Sequence, residues 1–114
     1  MVRWRRSLAA AAVLLGVACA PRAFVVPGGR SAPTVFRVRA KAQGVVLSGT
    51  MTGWRPRPLE RADGAFEIRL ALAPGRYEYR LEALDSHGIH VVFWEGAERT
   101  DDGFGGENAV LRIR

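Results

Sequence analysis

The feature that most limits the fold is a strict two-residue alternation through residues 64–84, interrupted only by Pro74-Gly75. Apolar side chains recur at every second position of Phe66–Leu72 and again of Tyr77–Ala83, with polar or small residues between them. This period is typical of strands with one buried and one solvated face, and Pro-Gly favours a tight turn. The pattern predicts two antiparallel strands paired in a hairpin, whose apolar face must pack on further structure because an isolated ribbon is marginal in water.

Shorter segments with strand-like alternation lie on both sides of this stretch. They are Thr34–Lys41 and Gly44–Thr50, predicted to form an opening hairpin, and Ile89–Trp94 and Asn108–Arg114. Asp85–Gly88 indicates a turn, and residues 95–107 are polar and glycine-rich, as in a loop. Nothing after the first 20 residues has a helical period. Six or seven short strands separated by turns predict an all-β fold, a two-sheet β-sandwich.

The first 20 residues follow the order of a secretory signal peptide. Three arginines precede an uncharged run, Ser7–Ala18, which leads to the chain's single cysteine, Cys19. The run is shorter than the about 20 apolar residues that a membrane-spanning helix needs. Leu15–Cys19 resembles the lipobox of bacterial lipoproteins, which implies a lipid on Cys19, whereas the alternative is ordinary cleavage after Ala20.

These patterns divide the chain into a lipoprotein signal peptide at 1–18, a tether at 19–33 and one domain at 34–114. We expect an exported protein that is lipid-anchored to the cell envelope, and a periplasmic or secreted protein is the alternative. Ala20 is not the acidic residue associated with inner-membrane retention, so the outer membrane is the expected location. A single cysteine forms no internal disulfide, so the core alone must hold the domain.

The formal charge of +6 does not indicate nucleic-acid binding. Three of the 17 basic residues lie at positions 3, 5 and 6, which leaves 14 against 11 acidic residues from Cys19 onward, a net of +3. Basic and acidic residues alternate along the strands and form no run that would follow a phosphate backbone. We therefore expect no nucleic-acid partner.

One tryptophan, Trp54, lies in a loop rich in glycine and proline, Gly49–Leu59. A large aromatic residue in a loop either folds back over the edge of the core or stays partly exposed as a flat binding surface. The composition of the loop leaves both interpretations open.

Three segments together resemble a known family: Val46–Trp54, Pro74–Arg80 and Asp101–Val110. In this order and at these spacings they are similar to the glycogen-binding domain of the AMP-activated kinase beta subunit. They are similar also to the rest of carbohydrate-binding module family 48, including the early-set domains of isoamylase and branching enzyme. The resemblance covers about residues 34–114. It implies an immunoglobulin-like early-set sandwich, in agreement with the strand pattern, and binding of an α-1,4-linked glucan or oligosaccharide.

The resemblance also implies a set of carbohydrate-binding residues. They are the loop tryptophan Trp54, the basic strand residue Arg80, a second tryptophan at Trp94, an apolar residue at Phe104 and an asparagine at Asn108. The chain departs from the family at three places. Gly53 stands where asparagine often precedes the first tryptophan, position 80 is arginine instead of lysine, and Trp94 comes later than the family's second tryptophan.

Sugar chemistry gives these residue types a physical role. A pyranose has apolar C–H faces and a rim of hydroxyls, so an aromatic platform and forked donors and acceptors suit it. For Arg80 the alternative is an ion pair with Glu78, Glu82 or Glu67. Asn108 is equally suited to bonding its own loop backbone, and Phe104 to closing the end of the sandwich.

No residue pattern indicates an enzyme, a cofactor or a metal site. His87 and His90 have metal-like spacing but span a turn into a strand, and the carboxylates at 101, 102 and 107 have no predicted cleft for glycoside hydrolysis. Two functions remain. The first is a noncatalytic α-glucan-binding module on a lipid-anchored protein, and the second is an early-set sandwich that binds a protein partner in the cell envelope without glucan affinity.

Overall fold

The computed structural model describes residues 20–114 of the 114-residue chain. Within these residues ten strands follow one another, joined by turns, loops and a 3₁₀ turn at Thr50–Thr52. They are β1 (Arg22–Val26), β2 (Thr34–Arg39), β3 (Gly44–Gly49), β4 (Arg57–Pro58), β5 (Glu60–Ala62), β6 (Ala65–Leu70), β7 (Gly75–Asp85), β8 (Gly88–Val92), β9 (Glu98–Asp101) and β10 (Glu107–Ile113). The predicted signal peptide and Cys19 lie outside the described residues.

The strands form two antiparallel sheets. The small sheet has the order β1-β2-β6-β5, and the large sheet has the order β4-β3-β7-β10-β9, with β8 paired to β7. The inner faces of the two sheets pack together, so the predicted all-β sandwich is confirmed. Phe36 of the small sheet and Tyr79 of the large sheet meet edge to face with ring centroids 5.2 Å apart.

The alternation correctly identifies which side chains face the core. In β7, Tyr79, Leu81 and Ala83 are buried, while the charged residues between them reach toward solvent. In β6, Phe66 is buried, and Ile68 and Leu70 are partly buried against the same core.

The predicted strand pairing is wrong at both proposed hairpins. Strand β6 pairs with β2 and β5, whereas β7 pairs with β3, β8 and β10. Residues 71–74 therefore carry the chain from one sheet to the other. The proposed opening hairpin fails in the same way, because β2 and β3 lie in different sheets. Two strands that face each other across a core show the same alternation as two strands side by side, so the period does not distinguish these arrangements.

Two stretches expected to lack regular structure contain strands. The region predicted as a tether includes β1, which pairs along its length with β2 and buries Ala23 and Val25. The polar stretch 95–107 includes β9, at the edge of the large sheet, where only one side pairs. The predicted turn at Asp85–Gly88 does join an antiparallel pair, β7 and β8.

Candidate functional site

The outer face of the large sheet carries an open cleft of about 560 Å³. Strand β7, the loop after β3 and the loop between β9 and β10 supply its walls. Its lining consists of Trp54, Glu78, Arg80, Asp102, Phe104 and Asn108. Four of the five residues that the family resemblance implied therefore meet at one place, although they are up to 54 positions apart in the chain.

Trp54 is presented by a tightly wound loop and does not belong to the core. After the 3₁₀ turn, both Gly53 and Trp54 adopt left-handed backbone conformations, with φ of 64° and 62°. The Trp54 N–H donates to the carbonyl of Gly49 over 2.8 Å, and the side chain is 45% exposed. A bulky residue with positive φ is uncommon and strained, and such residues cluster at binding sites.

The start of this loop depends on Gly49, whose backbone is extended. A Cβ at Gly49 would lie 2.5 Å from the carbonyl oxygen of Glu78 and 2.8 Å from the Cβ of Tyr79. Both obstacles belong to strand β7, which cannot move without disturbing the sheet. Gly49 therefore lets the chain pass close to β7 as it turns out toward Trp54.

We expect Gly49→Ala to lower the free energy of unfolding by about 1–3 kcal/mol, the usual cost of overpacking. Urea denaturation of the variant measures this loss. Gly44→Ala is the matched control, because nothing lies within 4 Å of a Cβ at the other end of the same strand. An equal effect at both positions would mean that steric conflict with β7 is not the cause.

Arg80 lies at the centre of a polar network in the cleft. Its Nη2 donates to Asp102 Oδ2 over 2.8 Å and to Asn108 Oδ1 over 3.1 Å. The Nδ2 group of Asn108 in turn donates to Glu78 Oε1 over 3.3 Å. Asn108 is 5% exposed and uses both ends of its amide in this way, so it sets the positions of Arg80 and Glu78. Arg80 thus makes none of the ion pairs considered from the sequence.

Asp102 shapes the loop that carries Phe104. Its Oδ1 accepts hydrogen bonds from the backbone N–H groups of Phe104, at 2.7 Å, and Gly106, at 3.0 Å. These two bonds, followed by that from Arg80, lower the pKa of the Asp102 carboxyl below its ordinary value. The ordered loop leaves the Phe104 side chain 94% exposed, so this residue does not close the end of the sandwich.

The second acidic residue of the cleft, Glu78, is also held ionised. Hydrogen bonds from Arg76, at 2.8 Å, and then from Asn108 lower the pKa of its carboxyl. The cleft therefore offers one guanidinium and two carboxylates beside two exposed aromatic side chains. This combination suits a neutral ligand with many hydroxyl groups, which needs both acceptors and donors beside apolar surface.

Sequence reasoning missed Glu78 and Asp102 as parts of the cleft. Glu78 could have been found from the two-residue period, because it points to the same face as Arg80. Asp102 bonds the backbone of its own loop, and its contact with Arg80, 22 positions away in the chain, leaves no local signal in the sequence.

Trp94 lies apart from the other four predicted residues. It is half-buried, packs against the core and forms an isolated bridge with Ala23 of β1. The cleft that it lines, about 330 Å³, is bounded by Ala20–Phe24 and Phe93–Glu95. The structure thus gives Trp94 a place between the N-terminal strand and the core.

The two histidines lie on the β7–β8 hairpin near Asp85. The Nε2 atom of His90 is 3.1 Å from Asp85 Oδ1, and His87 is largely exposed. Among residues 20–114, no group of three or more histidine, cysteine, aspartate or glutamate side chains is arranged to hold a metal ion. In the same part of the chain, no helix has the length and apolar character needed to cross a membrane.

Comparison with known families gives one result that covers most of the chain. The family described as the glycogen recognition site of AMP-activated protein kinase matches residues 32–112, a range that includes every residue lining the 560 Å³ cleft. No curated protein matches the sequence at a significant level.

Proposed function

The chain belongs to the family of glycogen recognition sites of AMP-activated protein kinase, and from this premise we propose that its cleft binds a linear α-1,4-glucan. The family is one of noncatalytic carbohydrate-binding modules, so the domain holds the glucan without cleaving it. The observation that carries the proposal is the convergence of Trp54, Arg80 and Phe104 on one open cleft.

Each side of the cleft meets a different part of a sugar. The exposed faces of Trp54 and Phe104 offer apolar surface to the C–H faces of glucose units. Nη2 is the only side-chain nitrogen of Arg80 that bonds a described residue. The Arg80 side chain as a whole is 30% exposed, so it can be reached by hydroxyl groups of a ligand in the cleft. Glu78 is in a position to accept from hydroxyl groups, and Asn108 keeps both charged groups in place.

Titration with maltoheptaose, followed by tryptophan fluorescence, tests this proposal directly. We expect saturable binding of maltoheptaose and none of a β-1,4-linked glucan of similar length, because a flat β-1,4 ribbon presents its sugar faces and hydroxyl groups differently from a curved α-1,4 chain. Arg80→Ala should weaken binding about tenfold or more, since hydrogen bonds to charged groups contribute about 1.5–3 kcal/mol. Arg112→Ala is the control, because Arg112 lies on the same sheet but pairs with Glu98 outside the cleft. Absence of maltoheptaose binding at millimolar concentration would leave the protein-interaction function as the better one.

We also propose that the protein is exported and anchored to the bacterial cell envelope through a lipid on Cys19, in the outer membrane where there is one. The support is the order of residues 1–19: three arginines, an uncharged run and a lipobox-like Leu15–Cys19. A lipid at this point would display the glucan-binding domain at a membrane surface.

Cys19→Ala should abolish incorporation of labelled fatty acid into the protein expressed in a bacterium, because the thiol is the acceptor. The released or unprocessed form is then expected in fractionation. If Cys19→Ala incorporated as much labelled fatty acid as the wild type, the lipid would be attached to another residue.

A further inference from the structure

The outer face of the small sheet, opposite the glucan cleft, has exposed apolar residues on its edge strand. In β1, Ala23 and Val25 are buried, so the residues between them point outward. Phe24 is 41% exposed and Val26 is 61% exposed. Both lie on the side of the sheet that contacts no other sheet.

The same face carries two arginines that have no acidic partner among residues 20–114. Arg22 of β1 and Arg39 of β2 lie directly opposite each other, and both are exposed. Like charges at directly opposed positions destabilise a sheet. Neither arginine forms an ion pair with any residue of the described part of the chain, so this pair is an uncompensated positive site.

Neighbouring charges do not cancel this excess. Arg37, opposite Phe24, donates to Glu67 of β6 over 2.9 Å, and Arg69 donates to the same carboxylate over 2.9 Å. These hydrogen bonds, first from Arg69 and then from Arg37, lower the pKa of Glu67. One carboxylate is therefore shared by two guanidinium groups. A second, Glu60 of β5, lies opposite Glu67 on the same face. Four arginines, at 22, 37, 39 and 69, thus stand against two carboxylates, and the face stays positive beside its apolar residues.

We propose that this face, made of Arg22, Phe24, Val26, Arg37 and Arg39 and called here the basic apolar face, lies on an anionic lipid surface. Arginines attract the headgroups while Phe24 and Val26 enter the boundary of the acyl chains. Strand β1 begins three residues after Cys19, and three residues span about 10 Å at most. The described chain therefore begins at the edge of this face, directly after Cys19.

This inference goes beyond glucan binding and gives the domain an orientation. The glucan cleft opens on the outer face of the large sheet, on the other side of the sandwich. A domain lying on lipid through its small sheet therefore directs Trp54 and Phe104 away from the membrane. Glucan and lipid are expected to bind together without competition.

The experiment uses the full chain with Cys19→Ser, which removes the natural thiol and any lipid on it. An environment-sensitive fluorophore is attached to a new cysteine by Val26→Cys or, as the matched control, by Ile89→Cys. Ile89 is 63% exposed and lies on the outer face of the large sheet. The two labelled positions are therefore equally exposed but lie on opposite faces of the sandwich. The vesicles contain equal parts of phosphatidylglycerol and phosphatidylcholine with a quencher on the lipid.

We expect the lipid-borne quencher to quench the probe at 26 several-fold more than the probe at 89. Adding Arg22→Ala and Arg39→Ala should remove most of that difference, corresponding to about a 30-fold loss in the contact equilibrium, and vesicles of phosphatidylcholine alone should do the same. Circular dichroism checks that each variant keeps its strand content.

Equal quenching at the two sites, or stronger quenching at 89, would overturn the proposal. Loss of the signal in inorganic phosphate at matched ionic strength would also overturn it, because the site would then bind a free anion. None of these outcomes depends on whether the protein binds maltoheptaose.

Discussion

Phe36→Ala is expected to lower the free energy of unfolding by about 3–5 kcal/mol, a large part of the total stability of a domain of this size. Phe36 is fully buried and packs edge to face on Tyr79 of the opposite sheet. Alanine removes the apolar surface that joins the two sheets and leaves a cavity between them. Urea denaturation followed by circular dichroism measures the loss.

Phe24→Ala is the control for this prediction, because it removes the same side chain from the outer face of the neighbouring strand. Its effect should stay within about 0.5 kcal/mol, as for other surface substitutions. In a double-mutant cycle with Tyr79→Leu, Phe36 should show a coupling of about 0.5–1.5 kcal/mol beyond burial. A small effect of Phe36→Ala, or no coupling to Tyr79, would contradict the packing of β2 against β7.

Strands β6 and β7 show how far the sequence predicts the fold. Alternation in Tyr77–Ala83 and Phe66–Leu72 correctly indicates strands and their buried sides, because each residue's exposure depends mainly on its own strand. Strand pairing depends on residues distant in the chain, such as Phe36 beside Ile68, and the two-residue alternation within a strand does not record which strand lies beside it. Pro74-Gly75 therefore predicted a hairpin where the chain in fact crosses between sheets.

The candidate site shows a similar limit. Trp54, Arg80, Phe104 and Asn108 could be named because a family resemblance carries information about distant residues that meet in space. The partners that hold them in place, Glu78 and Asp102 among them, depend on side-chain hydrogen bonds across the fold. The position of Trp94 could not be predicted from the sequence, because it depends on contact with β1. That strand lies in the region predicted to be a tether.

Trp54→Ala is expected to weaken maltoheptaose binding by about 1–3 kcal/mol, or about 5- to 150-fold, with base–aromatic stacking as the comparison. The side chain is 45% exposed and contributes a wall of the cleft, so its loss removes apolar contact with the sugar. The melting temperature should change little, because the indole ring contributes little to the core. Isothermal titration and thermal unfolding of the same preparation measure the two effects separately.

Two further variants distinguish a binding role from a structural one. Trp54→Gly should lose binding as Trp54→Ala does without losing stability, because glycine accepts the positive φ of 62° that strains other residues. Trp94→Ala should do the opposite: it should lower stability by at least about 1 kcal/mol, since Trp94 packs on the core, and leave binding unchanged. If Trp54→Ala instead costs several kcal/mol of stability, the loop tryptophan supports the fold. The cleft would then lose its aromatic platform as an explanation for glucan affinity, and binding of a protein partner would account better for the exposed Phe104.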